Sequence, residues 1–157
     1  MFNNSRKGIL IDKPLILWFF FEKDCPICAF VKDTVLRPMQ HERIIEIERY
    51  EIRANNTSPA VKWFYDYCEN EMAGDVLTPT IRLVDIYYRG YEYRIDSVKI
   101  LHLWRMKPNI VGDEDKQKAN QLRKHIMEAV ANYRRWSVTS THDVNVLSHM
   151  PLARRVI

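Results

Sequence analysis

The fold of this chain is decided by the segment at residues 15–28, which reads LILWFFFEKDCPIC. Residues 15–21 are apolar and include no turn residue, which predicts a strand buried on both faces. We place this strand at residues 14–21. A polar break at residues 22–24 follows, and then a pair of cysteines. The segment therefore predicts a buried strand that leads directly into two thiols.

The cysteines stand at the beginning of a predicted helix. Pro26 suits the first helical position, because its ring fixes φ and the N–H that it lacks would have no partner there. Cys25 is then the N-cap, with its sulfur beside the N–H groups of Ile27 and Cys28 at the positive end of the helix dipole. This environment favours the thiolate, which is the nucleophilic form. We expect Cys25 at the exposed tip and Cys28 on the core-facing stripe.

Length and composition fit one globular domain with a substantial core, since the chain has 157 residues and is 46% hydrophobic. Three cysteines do not make a disulfide framework at this length, so we expect an intracellular, cytoplasmic protein with a reactive pair. We see no signal peptide and no apolar segment long enough to span a membrane. A net charge of +4 does not by itself identify nucleic acid as a partner.

The rest of the chain predicts a mixed sheet. The predicted elements are a strand at 43–53, a helix from 59 to 72, a strand at 76–84, a hairpin turn at Gly90, a strand at 92–98 and a helix at 113–135. Pro38 should kink or end the first helix. The order of strands and helices favours an α/β fold with a central mixed four-stranded sheet flanked by helices, and a right-handed crossover in its parallel half.

Three regions follow from this assignment. Residues 1–13 are a lead-in, residues 14–136 are the domain, and residues 137–157 are a tail. Residues 137–141 resemble a linker, and the rest of the tail carries apolar side chains. We expect the tail to be disordered or to pack on a partner, and it is the predicted contact of a homo-oligomer.

Two motifs together resemble those of the thioredoxin superfamily. They are Cys25-Pro-Ile-Cys28 after a buried strand and Thr78-Pro79-Thr80 at the opening of the third strand. The resemblance implies a thioredoxin-like fold in which Pro79 is a cis-proline beside the thiols. It spans roughly residues 14 to 135.

The resemblance also implies a function, which is exchange of a dithiol with protein disulfides. Cys25 would attack a substrate disulfide, and Cys28 would resolve the mixed disulfide. Thr78, Pro79, Pro26 and Ile27 would contact the substrate. Expected partners are protein disulfides and a reductase or low-molecular-weight thiol, with no bound cofactor and no metal.

The chain departs from the family pattern at several positions. Asp24 stands where thioredoxins have tryptophan, and Phe19 stands where they keep a buried aspartate. Glu22 and Lys23 are then candidates for moving the proton of the second thiol. Cys-Pro-Ile-Cys is closer to the glutaredoxin motif, but the glutathione-holding glycine pair is replaced by residues 96–98.

The segment at residues 99–112 is longer than the family minimum. Because this connection borders the thiol site in the family, one hypothesis is that His102, Trp104 and Arg105 shape a substrate groove, and the alternative is that the insertion simply packs on the domain. The third cysteine, Cys68, falls on the apolar stripe of the second helix and is expected to be a packed core residue.

Three alternatives remain open at this point. The paired cysteines could be half of a zinc site completed by Cys68 and histidines, although no second pair has zinc-module spacing. Residues 133–136 and 154–155 are basic enough to suggest nucleic acid, but a basic helix end also complements the dipole. A redox-inactive thioredoxin-like adaptor is the third reading.

Overall fold

The computed structural model describes the backbone of residues 15–142 and the side chains of residues 15–133. Its centre is a four-stranded sheet in the order β2-β1-β3-β4. The strands are β1 (Ile16–Phe21), β2 (Glu46–Glu51), β3 (Thr80–Arg89) and β4 (Glu92–Leu101). The strand β1 is parallel to β2 and antiparallel to β3, and β3 is antiparallel to β4. The predicted mixed α/β sheet is therefore confirmed.

Helical structure follows β1, β2 and β4. A continuous stretch after β1 comprises α1 (Pro26–Val31), a π-helical segment (Lys32–Leu36) and α2 (Arg37–His41). The other helices are α3 (Pro59–Glu71) and α4 (Asp113–His142). Ser58 caps α3, because its Oγ accepts a hydrogen bond from the Val61 N–H at 3.2 Å.

Pro38 does not end the first helical stretch, which continues to His41. Proline has no N–H and its ring crowds the preceding turn, so it normally interrupts an α-helix. Here the wider π-helical segment lies directly before it. The change of helical pitch accommodates Pro38, and the stripe that begins at Cys28 stays buried through Met39.

The two faces of the sheet carry separate cores. One face packs against the first helical stretch and α4, and its cluster includes Phe19, both paired cysteines and Trp104. The other face packs against α3, and its cluster includes Trp18, Phe20 and Cys68. Residues 17–20 are thus buried on both faces of the sheet as predicted, because alternate side chains enter opposite cores, whereas Ile16 and Phe21 at the ends of β1 are half-buried.

Several predicted boundaries differ from the structure, and β2 is shorter than the predicted strand at 43–53. The strand β3 begins at Thr80 rather than at residue 76 and continues to Arg89, and β4 continues to Leu101. The linker predicted at 137–141 is wrong, because α4 runs without interruption to His142. These residues are weak helix formers, but they include neither glycine nor proline, and extending an existing helix costs little per residue.

Other predicted features lie partly outside the described residues. The lead-in at 1–13 and the tail from 143 to 157 are not described. The division into lead-in, domain and tail, and the homo-oligomer through the tail, stay predictions. No helix in the described part of the chain is long and apolar enough to cross a membrane.

Candidate functional site

Cys25 and Cys28 form a disulfide at the first turn of α1, with their Cα atoms 5.2 Å apart. This Cα separation lies in the ordinary range for a disulfide. Cys25 is the N-cap, in extended conformation, and its Sγ accepts a hydrogen bond from the Cys28 N–H at 3.2 Å. Pro26 occupies the beginning of the helix. The predicted N-cap geometry is therefore confirmed.

The predicted exposure of Cys25 is wrong. Cys25 is 3% exposed and Cys28 is 2% exposed, so both sulfurs belong to the core between the sheet and α4. Helical spacing alone placed Cys25 at a free tip. The same core also includes Trp104, from the segment after β4.

The Thr78-Pro79 peptide bond is cis, as the resemblance implied. Thr80 lies opposite Phe20 in the sheet, so this peptide lies at the same end of the sheet as the loop that leads from β1 to Cys25. Thr78 is fully buried, and its hydroxyl has no hydrogen-bond partner among the described residues. Pro79 is buried too.

The residues predicted to contact substrate differ widely in exposure. Pro26 is exposed, whereas Ile27, Thr78 and Pro79 are buried. No bound substrate is present to test these contacts, so they stay predictions. Of these four residues, Pro26 is therefore the one whose surface is accessible to a binding partner.

The segment at residues 102–112, which we name the strap, covers this end of the core. Trp104 is buried in the same cluster as the disulfide, and its Nε1–H donates to Asp115 Oδ1 at 2.9 Å. The Gly112 N–H donates to the other oxygen of that carboxylate at 2.8 Å. These two bonds, with the Gly112 bond the stronger influence, lower the pKa of Asp115. Asp115 therefore anchors the strap to the beginning of α4 in its ionised form.

A second contact ties the strap to the loop before Cys25. Lys107 Nζ lies 2.5 Å from Glu22 Oε2, and the Glu22 side chain is mostly buried. Glu22 was named as a candidate for moving the Cys28 proton, and in the structure its carboxylate pairs with Lys107 of the strap. Because this loop leads directly to Cys25, the ion pair links the strap to the segment that carries the disulfide.

A pocket of about 480 Å³ lies on the outer side of this loop. Its lining residues are Glu22, Lys23, Asp24, Glu51, Arg53 and Ala54. The Glu51 carboxylate accepts hydrogen bonds from the N–H groups of Ala54, Arg53 and Lys23, and these bonds lower its pKa. Glu51 thereby fixes the loop that carries Lys23.

The groove predicted from His102, Trp104 and Arg105 does not form as a unit. Trp104 points into the core, Arg105 is exposed, and the His102 ring lies 6.0 Å from the Tyr67 ring of α3. Sequence reasoning missed Lys107 and Asp115, which hold the strap. The acidic first turn of α4, at residues 113–115, was the available signal for Asp115.

Cys68 is buried in the α3 core, as predicted, and burial raises the pKa of its thiol. It belongs to the opposite face of the sheet from the disulfide. Among the side chains described at residues 15–133, no three His, Cys, Asp or Glu residues gather as metal ligands.

Comparison of the chain with protein-family models found no match, and neither the curated proteins nor the solved structures gave one. The site is therefore assessed on its own geometry. A paired cysteine disulfide at a helix N-terminus, on a mixed four-stranded α/β sheet, is compatible with a thioredoxin-like fold and with redox chemistry.

Proposed function

We propose that the chain is a thiol–disulfide oxidoreductase of the thioredoxin superfamily, with Cys25 as nucleophile and Cys28 as resolving thiol. The observation that carries the proposal is the disulfide at the first turn of α1, where the Cys28 N–H donates to Cys25 Sγ. The sheet order and the cis Thr78-Pro79 bond support the superfamily. We further propose that the substrates are protein disulfides.

The hydrogen bond to Cys25 Sγ is the main electrostatic support for a nucleophile at this position. An N–H aimed at the sulfur stabilises a thiolate more than a neutral thiol, and the helix N-terminus adds a partial positive charge. In the reduced chain, the same N–H would hold the Cys25 thiolate.

The proposed reaction moves two electrons from the dithiol to the substrate. The Cys25 thiolate attacks one substrate sulfur, so the substrate S–S bond breaks and a Cys25–substrate S–S bond forms. The departing sulfur takes a proton from water. Cys28, after giving its proton to water, attacks Cys25 Sγ and releases the second substrate sulfur, which is protonated in turn. A reductase dithiol or a low-molecular-weight thiol must then reduce the Cys25–Cys28 disulfide again.

Phe19 changes how the Cys28 proton leaves. Phe19 is fully buried in the core that holds the disulfide, where thioredoxins keep an aspartate. Glu22, a carboxylate of the loop before Cys25, is engaged in an ion pair with Lys107. In this proposal the proton of Cys28 leaves through water or another group of the loop.

The experiment is reduction of insulin by the chain in the presence of dithiothreitol. Cys25→Ser should abolish catalysed reduction. In a separate incubation of the pre-reduced chain with insulin and without dithiothreitol, Cys28→Ser should accumulate a covalent Cys25–substrate disulfide. Cys68→Ser is the matched control, because its thiol is buried on the other face, and it should retain the wild-type rate. No rate above dithiothreitol alone, together with no covalent adduct, would overturn the proposal.

A second candidate is a binding protein in which the disulfide is structural. The near-complete burial of Cys25 favours it, since a nucleophile must reach its substrate. In that case Cys25→Ser and Cys28→Ser would lower the free energy of unfolding equally, by at most about 2–4 kcal/mol because the disulfide closes a short loop. Neither substitution would change a rate of turnover. The insulin assay separates the two candidates.

A further inference from the structure

The strand β4 is an edge of the sheet, and it is long. It extends from Glu92 to Leu101, and no strand pairs with its outer side in the described part of the chain. Its backbone N–H and C=O groups on that side are therefore available to another strand. Natural edges are commonly blocked by proline, by lysine or by a covering helix. The half of β4 before Lys99 has neither proline nor lysine.

One face of the β3–β4 hairpin is apolar and exposed. Tyr88 lies opposite Tyr93, and Ile86 lies opposite Ile95, so these four side chains share a face. Tyr88 is 68% exposed, Tyr93 is 56% exposed, and their rings meet edge to face at 5.1 Å. This face continues the α3 side of the sheet beyond α3 itself. It is a surface that a neighbouring strand would extend.

The charges on β4 favour a second copy of the same strand as the partner, and they favour one register of antiparallel pairing. If a second copy of β4 pairs antiparallel with Ile95 on the twofold axis, Arg94 lies opposite Asp96 of the second copy, and the same pair forms again across the axis. Tyr93 then lies opposite Ser97, and both apolar faces stay on the same side. Opposite charges directly across a strand pair are stabilising.

Two neighbouring registers also keep the apolar faces of both copies on the same side of the sheet, but both are disfavoured by their charges. Centring the pair on Arg94 puts that cation opposite itself and Glu92 opposite Asp96. Centring it on Asp96 puts that carboxylate opposite itself. Like charges directly opposite each other destabilise a strand pair. The bulge of β4, where Val84 pairs with Ser97 and Leu83 pairs with Lys99, limits pairing beyond Ser97.

We propose that two copies of this chain associate through β4, antiparallel and centred on Ile95, to form a continuous eight-stranded sheet across a twofold axis. The association is isologous, because the same strand is used by both copies. It uses the edge farthest from β2 in the sheet order, so it does not depend on the redox function of the disulfide.

The test is sedimentation velocity of the full chain across a wide range of concentrations. Wild type should show a monomer–dimer equilibrium. Arg94→Asp and Asp96→Arg each place like charges opposite one another, and each should weaken the dimer by about tenfold or more. The double variant with both substitutions restores opposite charges and should bring the dissociation constant back near that of wild type. Arg49→Asp makes the same change of charge at an exposed position of β2, the opposite edge of the sheet, so it is the matched control and should dimerise like wild type.

Rescue by the double variant also shows that neither single variant acts by unfolding the hairpin. A wild-type chain that stays monomeric at every concentration would overturn the proposal, whether the edge is covered by another segment of the chain or by a different protein. A dimer that responds equally to all four variants would also overturn it, because the register would then be wrong.

Discussion

Lys107 Nζ and Glu22 Oε2 lie 2.5 Å apart although they are separated by 85 positions in the chain. Glu22 belongs to the loop that leads into Cys25, and Lys107 belongs to the strap. The ion pair therefore links the covering segment directly to the loop of the disulfide.

Removing this ion pair should increase access to the disulfide. In Lys107→Met, the strap loses its ion pair with Glu22 but keeps the hydrogen bond from Trp104 to Asp115. A partly exposed ion pair is worth up to about 1 kcal/mol, so reduction of the native disulfide by a phosphine should be about two- to fivefold faster. Lys116→Met removes an exposed ion pair to Asp113 and is the matched control. Equal rates in the two variants would show that the Lys107 contact does not restrict access.

Asp115 should make stability depend on acid pH. Its folded-state pKa lies below the ordinary value of 3.8, so its contribution is fully present above that value and is lost as the pH falls through the folded pKa. Asp115→Asn should be less stable than wild type at neutral pH, and the difference should shrink in acid. Urea unfolding at pH 7 and below pH 3.8 measures this. A difference that stays constant with pH would contradict the anchoring role of the carboxylate.

Arg82 should tolerate loss of its charge better than replacement by another cation. The side chain is 6% exposed, and its Cζ lies 4.0 Å from the Trp63 ring centroid and 5.1 Å from that of Trp18. Its Nε–H donates to Ser97, and no carboxylate forms an ion pair with it in the described chain.

Because lysine is more strongly hydrated and does not stack as a plane, Arg82→Lys should be less stable than Arg82→Met by about 1–3 kcal/mol. Chemical denaturation of both variants, monitored by tryptophan fluorescence, measures which of the two is less stable. The reverse order would mean that the positive charge itself stabilises the aromatic cluster.

Cys68 should be unreactive in the folded chain. Burial raises the pKa of its thiol, so it stays protonated at mildly alkaline pH, and reagents reach it only through local opening. Alkylation of the oxidised native chain should be at least about a hundredfold slower than that of a free cysteine peptide. Labelling at the peptide rate would place Cys68 at the surface and would remove it as a control.

The sequence predicted the parts of the fold that depend on local pattern. The apolar run of β1 and the N-cap at Cys25 depend on neighbouring residues, and both agree with the structure. The cis bond before Pro79 also agrees with the structure, but it was implied by the resemblance to the thioredoxin superfamily rather than by local pattern.

Features that depend on distant contacts were not predicted. Cys25 is buried in a core that Trp104 of the strap shares, and the strap is held by contacts of Lys107 and Trp104 with residues far along the chain or on another element. The extension of α4 to His142 was missed because the weak helix formers at 137–141 were interpreted as a linker. Propensity does not end a helix that has already formed.

The most direct test of the proposed function is redox titration of the Cys25–Cys28 pair, with Cys68 replaced by serine. If the pair is a working dithiol, intrinsic tryptophan fluorescence should follow one reversible two-electron transition. Its slope should be about 30 mV for each tenfold change in the ratio of oxidised to reduced chain. A disulfide that is reduced only when the chain unfolds, with no reversible transition in the native state, would contradict the oxidoreductase proposal and leave the disulfide structural.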